Sequence, residues 1–449
     1  MGEDSVQLEA TLRSKALADV EALSAQALRT LGVACRRYGQ HDRHEADLID
    51  EADENTLVYV GVAGIIDPPR AEAAVAVAEA RRAGIRVVMI TGDHPVTAAR
   101  IAIDLGISAP GDKAVTGAQL DGLDHAGLRS VTASASIYAR VSPHNKLQII
   151  DALQAQGNVV AMTGDGVNDA PALKSADIGV AMGITGTEVE VTKEASKMII
   201  GDDNFATIVS AVRQGRVIFD NIEKFLRYLL SSNMGEVFTV FLGVAFAGAM
   251  GLAGAGGEAV ALPLLATQIL WINLITDSGP ALAMGVDPEI DDVMARAPRK
   301  VTDRILGRRM WTGVLAVGLV MGVASLTTID IFLPGGFVNG SDSLDVARTA
   351  GFTTLVLAQL FNAFNSRSDT TSAFHRLFVN KWLWGAVLLA AALQLAVVEL
   401  PLLQRAFGTA SLGPVHWAVC IAMASIVLWF DELRKLFYRM RVRNRPGSP

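Results

Sequence analysis

The chain has 449 residues, of which 51% are hydrophobic and 19% are charged, with 39 Lys and Arg against 46 Asp and Glu. The net charge of −7 excludes a typical nucleic-acid binder, which carries a basic surplus, and the apolar fraction excludes a disordered chain. The two cysteines, Cys35 and Cys420, are too few and too distant for a disulfide framework or a cysteine-rich metal cluster. Charged residues are dense to about residue 224 and sparse beyond it, so the two halves need separate treatment.

The first half alternates short β-branched runs with amphipathic helical patterns. This alternation predicts an α/β fold with a mostly parallel sheet and helices on both faces. Ligands of such sheets bind at the carboxyl ends of the strands. The predicted strands are Leu57–Ala63, Ile85–Ile90, Ile137–Val141, Val159–Met162 and Ile178–Ala181, and the predicted helices include Ala71–Arg82, Val96–Leu105 and His144–Ala155.

Two of the predicted strands end in related polar motifs. One runs into Thr91-Gly92-Asp93, and the other into the nine-residue run from Thr163 to Pro171, T-G-D-G-V-N-D-A-P. Glycines after a strand let the backbone approach a phosphate, and a threonine hydroxyl can bond a phosphoryl oxygen. Asp165 and Asp169 offer paired carboxylates that suit Mg²⁺, and Lys146 can neutralise phosphoryl charge.

The second half contains six apolar stretches, each about the length that crosses a bilayer as a helix. They cover residues 225–250, 262–285, 311–333, 349–366, 382–403 and 413–430. Six such stretches in succession disfavour the alternative of buried helices in a large soluble domain. The sequence therefore predicts a six-helix transmembrane bundle in contact with the lipid bilayer.

Positive charge in the loops predicts the orientation of this bundle. Lys and Arg cluster at 296–309, 367–381 and 434–445, whereas the intervening loops hold almost none. Because positively charged loops face the cytoplasm, we expect a multi-pass protein of the cell membrane with both termini cytoplasmic. The first residues, Met1 to Glu9, are polar and acidic, and no signal peptide is expected there.

Polar residues inside the apolar stretches indicate an ion path, because ionisable groups in a membrane are costly and usually functional. The residues concerned are Asn233 and Glu236 in the first stretch, Asn273, Thr276 and Asp277 in the second, and Gln359 and Asn362 in the fourth. Gly279-Pro280 is expected to interrupt the second helix beside them. An all-oxygen set with two carboxylates suits a hard cation such as Ca²⁺. For Thr276 and Asn362, packing between helices is an equally good interpretation.

The nine-residue run, the second T-G-D motif and the lysine between them resemble the phosphorylation domain of P-type ATPases, which has a haloacid-dehalogenase-like fold. Asp67-Pro68-Pro69-Arg70 is similar to the family's hinge motif, and residues 202–205 lead into the first membrane helix. The resemblance extends from about Ala27 to the last membrane helix. It implies four regions, namely a nucleotide-domain remnant (1–56), the phosphorylation domain (57–204), the stalk and six transmembrane helices (205–432) and a basic cytoplasmic tail (433–449).

The resemblance also implies roles for individual residues. Those implied to hold and stabilise the phosphoryl group are Thr91, Gly92, Asp93 and Lys146, those implied at the Mg²⁺ site are Asp165, Asn168 and Asp169, and Arg29 is implied to contact ATP phosphates. The transported cation would be bound by Asn233, Glu236, Asn273, Thr276, Asp277 and Gln359. These positions agree with the transport sites of the family's Ca²⁺ pumps. Gln359 stands where those pumps commonly carry Glu, so a single ion, or Mn²⁺ or Na⁺, is an alternative.

Two motifs of the family are absent from the printed sequence. The D-K-T-G-T motif, which supplies the phosphorylated aspartate, and the T-G-E motif of the actuator domain occur nowhere in the 449 residues. We therefore expect the carboxyl-terminal part of an ATP-driven cation pump for Ca²⁺ that is inactive alone, with the rest of the pump either supplied by a separate chain or lost. The alternative is a catalytically inactive, membrane-anchored interaction partner.

Overall fold

The computed structural model describes residues 6–26, 28–36, 57–65, 69–184, 189–255, 260–300 and 302–443. The chain forms two compact units. The first comprises Met1–Val212 with Met294–Val301, and the second comprises Arg213–Val293 with Thr302–Pro449. Each is described by itself.

The first unit alternates strands and helices, as the hydrophobic pattern predicts. Its first elements are α1 (Ala10–Ser24), β1 (Arg29–Cys35), β2 (Val58–Ile65), α2 (Ala71–Arg82), β3 (Met89–Thr91), α3 (Pro95–Asp104), β4 (Val115–Thr116), α4 (Gly117–Asp121) and α5 (His125–Ser134). The elements that follow are β5 (Ile137–Ala139), α6 (Pro143–Gln154), β6 (Ala161–Gly164), α7 (Ala170–Ser175), β7 (Ile178–Met182), α8 (Val189–Ala195) and β8 (Met198–Ile200).

The strands of this unit form parallel sheets and one antiparallel pair. The parallel sheets have the orders β3-β5-β4 and β6-β7-β8. The predicted strand at 57–63 is present as β2, but it pairs antiparallel with β1 and lies outside the parallel sheets. The sequence did not predict β1, because Gly32 and Ala34 weaken its strand pattern.

Helices pack on both faces of the β3-β5-β4 sheet and hold the strand ends that carry the motifs. Ile137, Tyr138 and Ala139 of the central strand β5 are fully buried against helices on either side. The polar turn after β5 starts α6 with a capping box, in which Ser142 Oγ accepts from the Asn145 backbone N–H and the Asn145 side chain accepts from the Ser142 N–H. This cap fixes the first turn of α6, where Lys146 lies.

The second unit is helical. Its helices are α9 (Phe205–Ala245, in this unit from Arg213), α10 (Ala266–Trp271), α11 (Ser278–Gly285), α12 (Arg308–Phe332), α13 (Leu344–Asn365), α14 (Lys381–Glu399), α15 (Pro401–Phe407) and α16 (Pro414–Arg443). Within the described ranges, four helices are long and apolar enough to cross a membrane, namely α9, α12, α14 and α16. The other two predicted stretches are also helical, as the divided segment α10–α11 and as α13, most of whose residues are buried.

The helix of the second apolar stretch is interrupted before Gly279-Pro280 and not at these two residues, where the sequence predicted it. Residues Ile272–Thr276 form a π-helical turn, with the Asp277 N–H bonded to the Ile272 carbonyl at 3.0 Å, and α11 continues through Gly279-Pro280. The cause lies in Pro280, because proline has no N–H for the carbonyl of Thr276 four residues earlier and its ring crowds that carbonyl. The backbone therefore widens in the turn before the proline, immediately beside Asp277.

Candidate cation and phosphoryl sites

Glu236 of α9 is the centre of a polar cluster in the helical unit. Its side chain is 5% exposed. Asn273 Nδ2 donates to Glu236 Oε2 at 2.9 Å, and Gln359 Nε2 donates to Glu236 Oε1 at 3.2 Å. Three residues predicted from separate apolar stretches are thus in direct contact.

Asp277 lies at the start of α11 and is fully buried. Tyr228 of α9 donates its hydroxyl to Asp277 Oδ1 at 2.8 Å. The Ser232 hydroxyl is buried without a hydrogen-bond partner among the described residues. Neither Asp277 nor Glu236 forms an ion pair with any residue that the structure describes, so a bound cation would meet uncompensated carboxylates.

Two oxygens of this cluster are buried without a hydrogen-bond donor among the described residues. They are Asp277 Oδ2 and Gln359 Oε1, and both parent residues are 0% exposed. Buried oxygens are almost always satisfied by a donor, water or a metal ion. Oxygens that lack donors are the groups that a hard cation coordinates.

The other predicted ligands bond to their own helices. Asn233 Nδ2 donates to the Leu229 carbonyl at 2.9 Å, and Thr276 Oγ1 donates to the Ile272 carbonyl at 3.0 Å. In both side chains the oxygen keeps lone pairs that a cation could use. Asn362 donates to Ser231 Oγ at 2.8 Å, which agrees with its interpretation as a packing contact between α13 and α9.

Sequence reasoning missed Tyr228, which is the partner of Asp277. One signal was present, because Tyr228 is one of five tyrosines and lies two turns before Glu236 on the same helix. A buried tyrosine hydroxyl usually has a hydrogen-bond partner.

In the first unit, Lys146 of α6 and Asp169, in the 3₁₀ turn after β6, form an ion pair. Asp169 is 6% exposed. The structure therefore brings together two residues that were predicted from motifs 23 positions apart. This contact links the first turn of α6 to the nine-residue run.

Thr91 lies at the carboxyl end of β3, opposite Ala139 in the parallel register. Its hydroxyl donates to Asp93 Oδ2 at 2.9 Å and accepts from the Asp93 N–H at 3.1 Å. The backbone N–H of Val141 approaches the Thr91 carbonyl at 3.5 Å. The Thr-Gly-Asp turn thus lies beside the segment that starts α6, with Gly92 exposed between the two polar side chains.

The nine-residue run packs tightly at Gly164. A β-carbon at this position would lie 2.6 Å from Asp169 Cβ, so no larger residue fits without displacing Asp169. Asp165 and Asn168 are exposed on the same turn. Carboxylate and amide oxygens are the ligands that Mg²⁺ prefers, so these residues fit a Mg²⁺ ion. The neighbouring lysine offers positive charge to a phosphate. Among the residues described, no three or more His, Cys, Asp or Glu side chains form a ready metal site.

Two further predictions fall partly on residues outside those described. Arg29 lies in β1, paired with Ile65, and its side chain is outside the description. Asp67 and Pro68 of the hinge motif lie outside the described residues.

Comparisons with known proteins match two separate regions of the chain. Residues 8–177 match the family model of haloacid dehalogenase-like hydrolases, and residues 261–437 match the model of the cation transporting ATPase carboxyl terminus. The first region contains the phosphoryl motifs, and the second contains Asn273, Asp277 and Gln359.

Curated relatives extend the match over nearly all of the chain. The calcium-transporting ATPase of Bacillus subtilis (strain 168) is 43% identical over 94% of this chain and 44% of its own length. Calcium-transporting ATPase 1 of Bacillus cereus is 39% identical over 94% of this chain and 47% of its own length. The probable cation-transporting ATPase F of Mycobacterium bovis is 38% identical over 99% of this chain and 47% of its own length. The chain thus spans less than half the length of these relatives.

The first family model agrees with the strand-end motifs of the first unit, and the second family model agrees with the apolar helices of the second unit. The first unit has the haloacid-dehalogenase-like fold, and the helical unit makes the chain an integral membrane protein. The chain belongs to the P-type cation-transporting ATPases, and it carries the carboxyl-terminal region of that family.

Proposed function

We propose that the chain supplies the cation pathway and part of the phosphoryl-transfer site of an ATP-driven calcium pump. The observation that carries this proposal is the cluster around Glu236. Asn273 and Gln359 are bonded to its carboxylate, and Asp277, four residues after Asn273, has a buried oxygen without a donor among the described residues. The relatives named calcium-transporting ATPases support the choice of ion.

The transported ion would be coordinated by the oxygens of Asn233, Glu236, Asn273, Thr276, Asp277 and Gln359. Ca²⁺ takes about six to eight oxygen ligands, which a set of this size provides. Two carboxylates neutralise the charge of one Ca²⁺, whereas a second ion would leave two positive charges uncompensated in the membrane. We therefore propose one bound Ca²⁺, with Mn²⁺ and Na⁺ as the competitors to be tested.

The phosphoryl site would be assembled at the strand ends of the first unit. Thr91, Gly92 and Asp93 would hold the phosphoryl group, and Lys146 would neutralise charge on its oxygens. Asp165, Asn168 and Asp169 would hold Mg²⁺, which supplies positive charge against the phosphates of ATP. Arg29 would contact those phosphates from the nucleotide side.

The acceptor of the phosphoryl group would be the aspartate of a D-K-T-G-T segment, which the printed residues lack. Lys146 and a cradle for phosphate stabilise transfer but cannot accept the group. The printed residues alone would therefore form no phosphoenzyme and would need a segment that carries this motif. The clustering of Lys and Arg at 296–309, 367–381 and 434–445 supports a cytoplasmic position of both ends.

Co-expression with the missing segment tests this function. The chain is produced with a fragment that bears D-K-T-G-T, or with the same fragment carrying Asn for its aspartate, and is incubated with radiolabelled ATP and Ca²⁺. We expect hydroxylamine-labile phosphate only with the unaltered fragment. Label on the chain alone would contradict the proposed absence of an acceptor.

A second function is favoured by that same missing motif. Without an acceptor, the chain would act as an inactive membrane partner that binds another pump. If neither fragment supports labelling and the chain co-purifies with an intact pump, this second function replaces the first.

A further inference from the structure

Asp287, two residues after α11, has a buried carboxylate that three helical segments contact. It is 2% exposed. Its Oδ2 accepts from Lys224 Nζ at 2.8 Å, and its Oδ1 accepts from Arg367 Nε at 3.1 Å and from Asn380 Nδ2 at 2.8 Å. These four residues are called the Asp287 hub below.

Further hydrogen bonds connect Asp287, Lys224 and Asn380 to neighbouring groups. Asn221 Nδ2 donates to the Asp287 carbonyl at 2.9 Å, and Lys224 Nζ donates to Asn221 Oδ1 at 3.0 Å. Asn380, the N-cap of α14, also donates to the carbonyl of Ala283 at 3.0 Å. The side chains of Lys224 and Asn380 therefore have little freedom to follow a displaced neighbour.

The hub joins the chain segments that carry the cluster around Glu236. Lys224 precedes Glu236 by 236 − 224 = 12 residues on α9, about 18 Å along a helix. Asp287 follows Asp277 by 287 − 277 = 10 residues through α11, and Arg367 follows Gln359 by 367 − 359 = 8 residues, just beyond α13. Lys224 within α9 and Arg367 just beyond α13 are thus both bonded to the carboxylate that follows α11.

The charges of the hub make this arrangement sensitive to Asp287. Lys224 and Arg367 are 6% and 3% exposed, and both use Asp287 as counter-charge. Removing the carboxylate would leave two buried cations close together, which would move apart. A buried ion pair contributes little net stability over an apolar replacement, but removing one partner leaves an uncompensated buried charge that its neighbours must accommodate.

We propose that Asp287 is a positioning residue for the cation site. It holds α9, α11 and α13 in the relative positions that bring Glu236, Asp277 and Gln359 together. The identity of the bound ion rests on the proposed function, whereas the positioning of the three helices by Asp287 does not.

Calcium binding to the full chain in lipid nanodiscs gives the first test. We expect Asp287→Asn to weaken ⁴⁵Ca²⁺ binding by about tenfold to 100-fold, the range found for residues that orient ligands. Asp345→Asn is the matched control, because Asp345 is an exposed acid whose side chain lies 3.7 Å from Arg348, outside the hub. Equal affinities for wild type, Asp287→Asn and the control would overturn the proposal.

Disulfide formation between α9 and α13 gives a test that needs no cation. Ser231 and Asn362 are hydrogen-bonded at 2.8 Å, so cysteines at both positions report the approach of the two helices. In a background with Cys35→Ser and Cys420→Ala, we expect Asp287→Asn to slow oxidative cross-linking between these two cysteines. An unchanged rate would refute positioning by Asp287.

These two readouts separate the proposals. If wild-type chain binds no Ca²⁺, the proposed function fails, while the cross-linking rate still decides the role of Asp287. If Asp287→Asn does not fold, Asp287→Glu replaces it, because the charge is kept and the carboxylate is moved by one methylene. Weaker Ca²⁺ binding by Asp287→Glu at unchanged melting temperature supports positioning, whereas wild-type affinity indicates a role in folding alone.

Discussion

Gln359 Nε2 donates to Glu236 Oε1 at 3.2 Å, while Gln359 Oε1 is buried without a donor among the described residues. One end of the amide thus stabilises the carboxylate, and the other end presents a free oxygen. A glutamine in this position joins α13 to α9 without adding charge. It therefore limits the negative charge of the cluster to two carboxylates.

Replacing this amide by a carboxylate tests that limit. Gln359→Glu would bring a second acid against Glu236, so the chain should melt at a lower temperature without Ca²⁺ and gain more from added Ca²⁺ than wild type does. Thermal unfolding in nanodiscs with and without Ca²⁺ measures both effects. Gln394→Glu is the control, because Gln394 is equally buried but bonds to Thr353 outside the cluster. A calcium-dependent gain no larger than that of the control would contradict the role of Gln359.

Tyr228 should matter through a single hydrogen bond. Tyr228→Phe keeps the ring and removes the donor to Asp277, leaving a buried carboxylate without its partner, so we expect a loss of about 1–3 kcal/mol in the free energy of unfolding. Because the carboxylate then lacks competition from the hydroxyl, Ca²⁺ should restore most of this loss. Chemical unfolding with and without Ca²⁺ provides the measurement, and a loss that Ca²⁺ does not reduce would separate Tyr228 from the site.

The close contact at Gly164 predicts a difference between two neighbouring glycines. Gly164→Ala forces its β-carbon against Asp169 and should cost about 1–3 kcal/mol, as overpacking does, while disturbing the Lys146–Asp169 ion pair. Gly166→Ala is the matched control, because its backbone is extended at φ −119° and a β-carbon there meets nothing within 4 Å. Unfolding of the full chain by denaturant compares them, and similar losses in the two variants would argue against the contact.

Asp177 predicts a pH dependence in the first unit. The Val160 N–H donates to Asp177 Oδ2 at 2.8 Å and holds the pKa of this carboxyl below its ordinary value, with help from Gln154. A lowered folded pKa means that the contribution to stability is complete above about pH 4, the ordinary value for Asp, and is lost as the pH falls through the folded pKa. Amide exchange at Val160, followed from pH 7 to pH 3, should accelerate relative to its intrinsic rate at the acid end. In Asp177→Asn this extra acceleration should be absent, and its persistence would assign the effect to another group.

The sequence predicted the elements whose signals are local. The bounds of α2 agree with the prediction, and those of α3 and α6 differ by one residue at each end, because apolar periodicity and capping residues define them. The contact of Glu236 with Asn273 and Gln359 followed from the cost of polar groups in apolar stretches.

Features that depend on tertiary packing were not predicted. The helix is interrupted at residues 272–276 and not at Pro280 itself. The reason is that proline has no N–H for the carbonyl four residues before it, so the distortion falls one turn earlier. The roles of Tyr228 and Asp287 depend on which helices become neighbours, and spacing along the chain does not reveal this. Strand β1 is defined by its pairing with β2 across a long segment, so its own seven residues carry little signal.

Direct calcium binding tests the central claim that Glu236 and Asp277 form a cation site. Purified full chain in nanodiscs is titrated with ⁴⁵Ca²⁺ alongside Glu236→Gln and Asp277→Asn, which keep the size of each side chain and remove its charge. Saturable binding of one Ca²⁺ per wild-type chain is the predicted result, with affinity at least about 100-fold lower in either variant, a difference of about 2.8 kcal/mol. Wild-type affinity in both variants would contradict the claim.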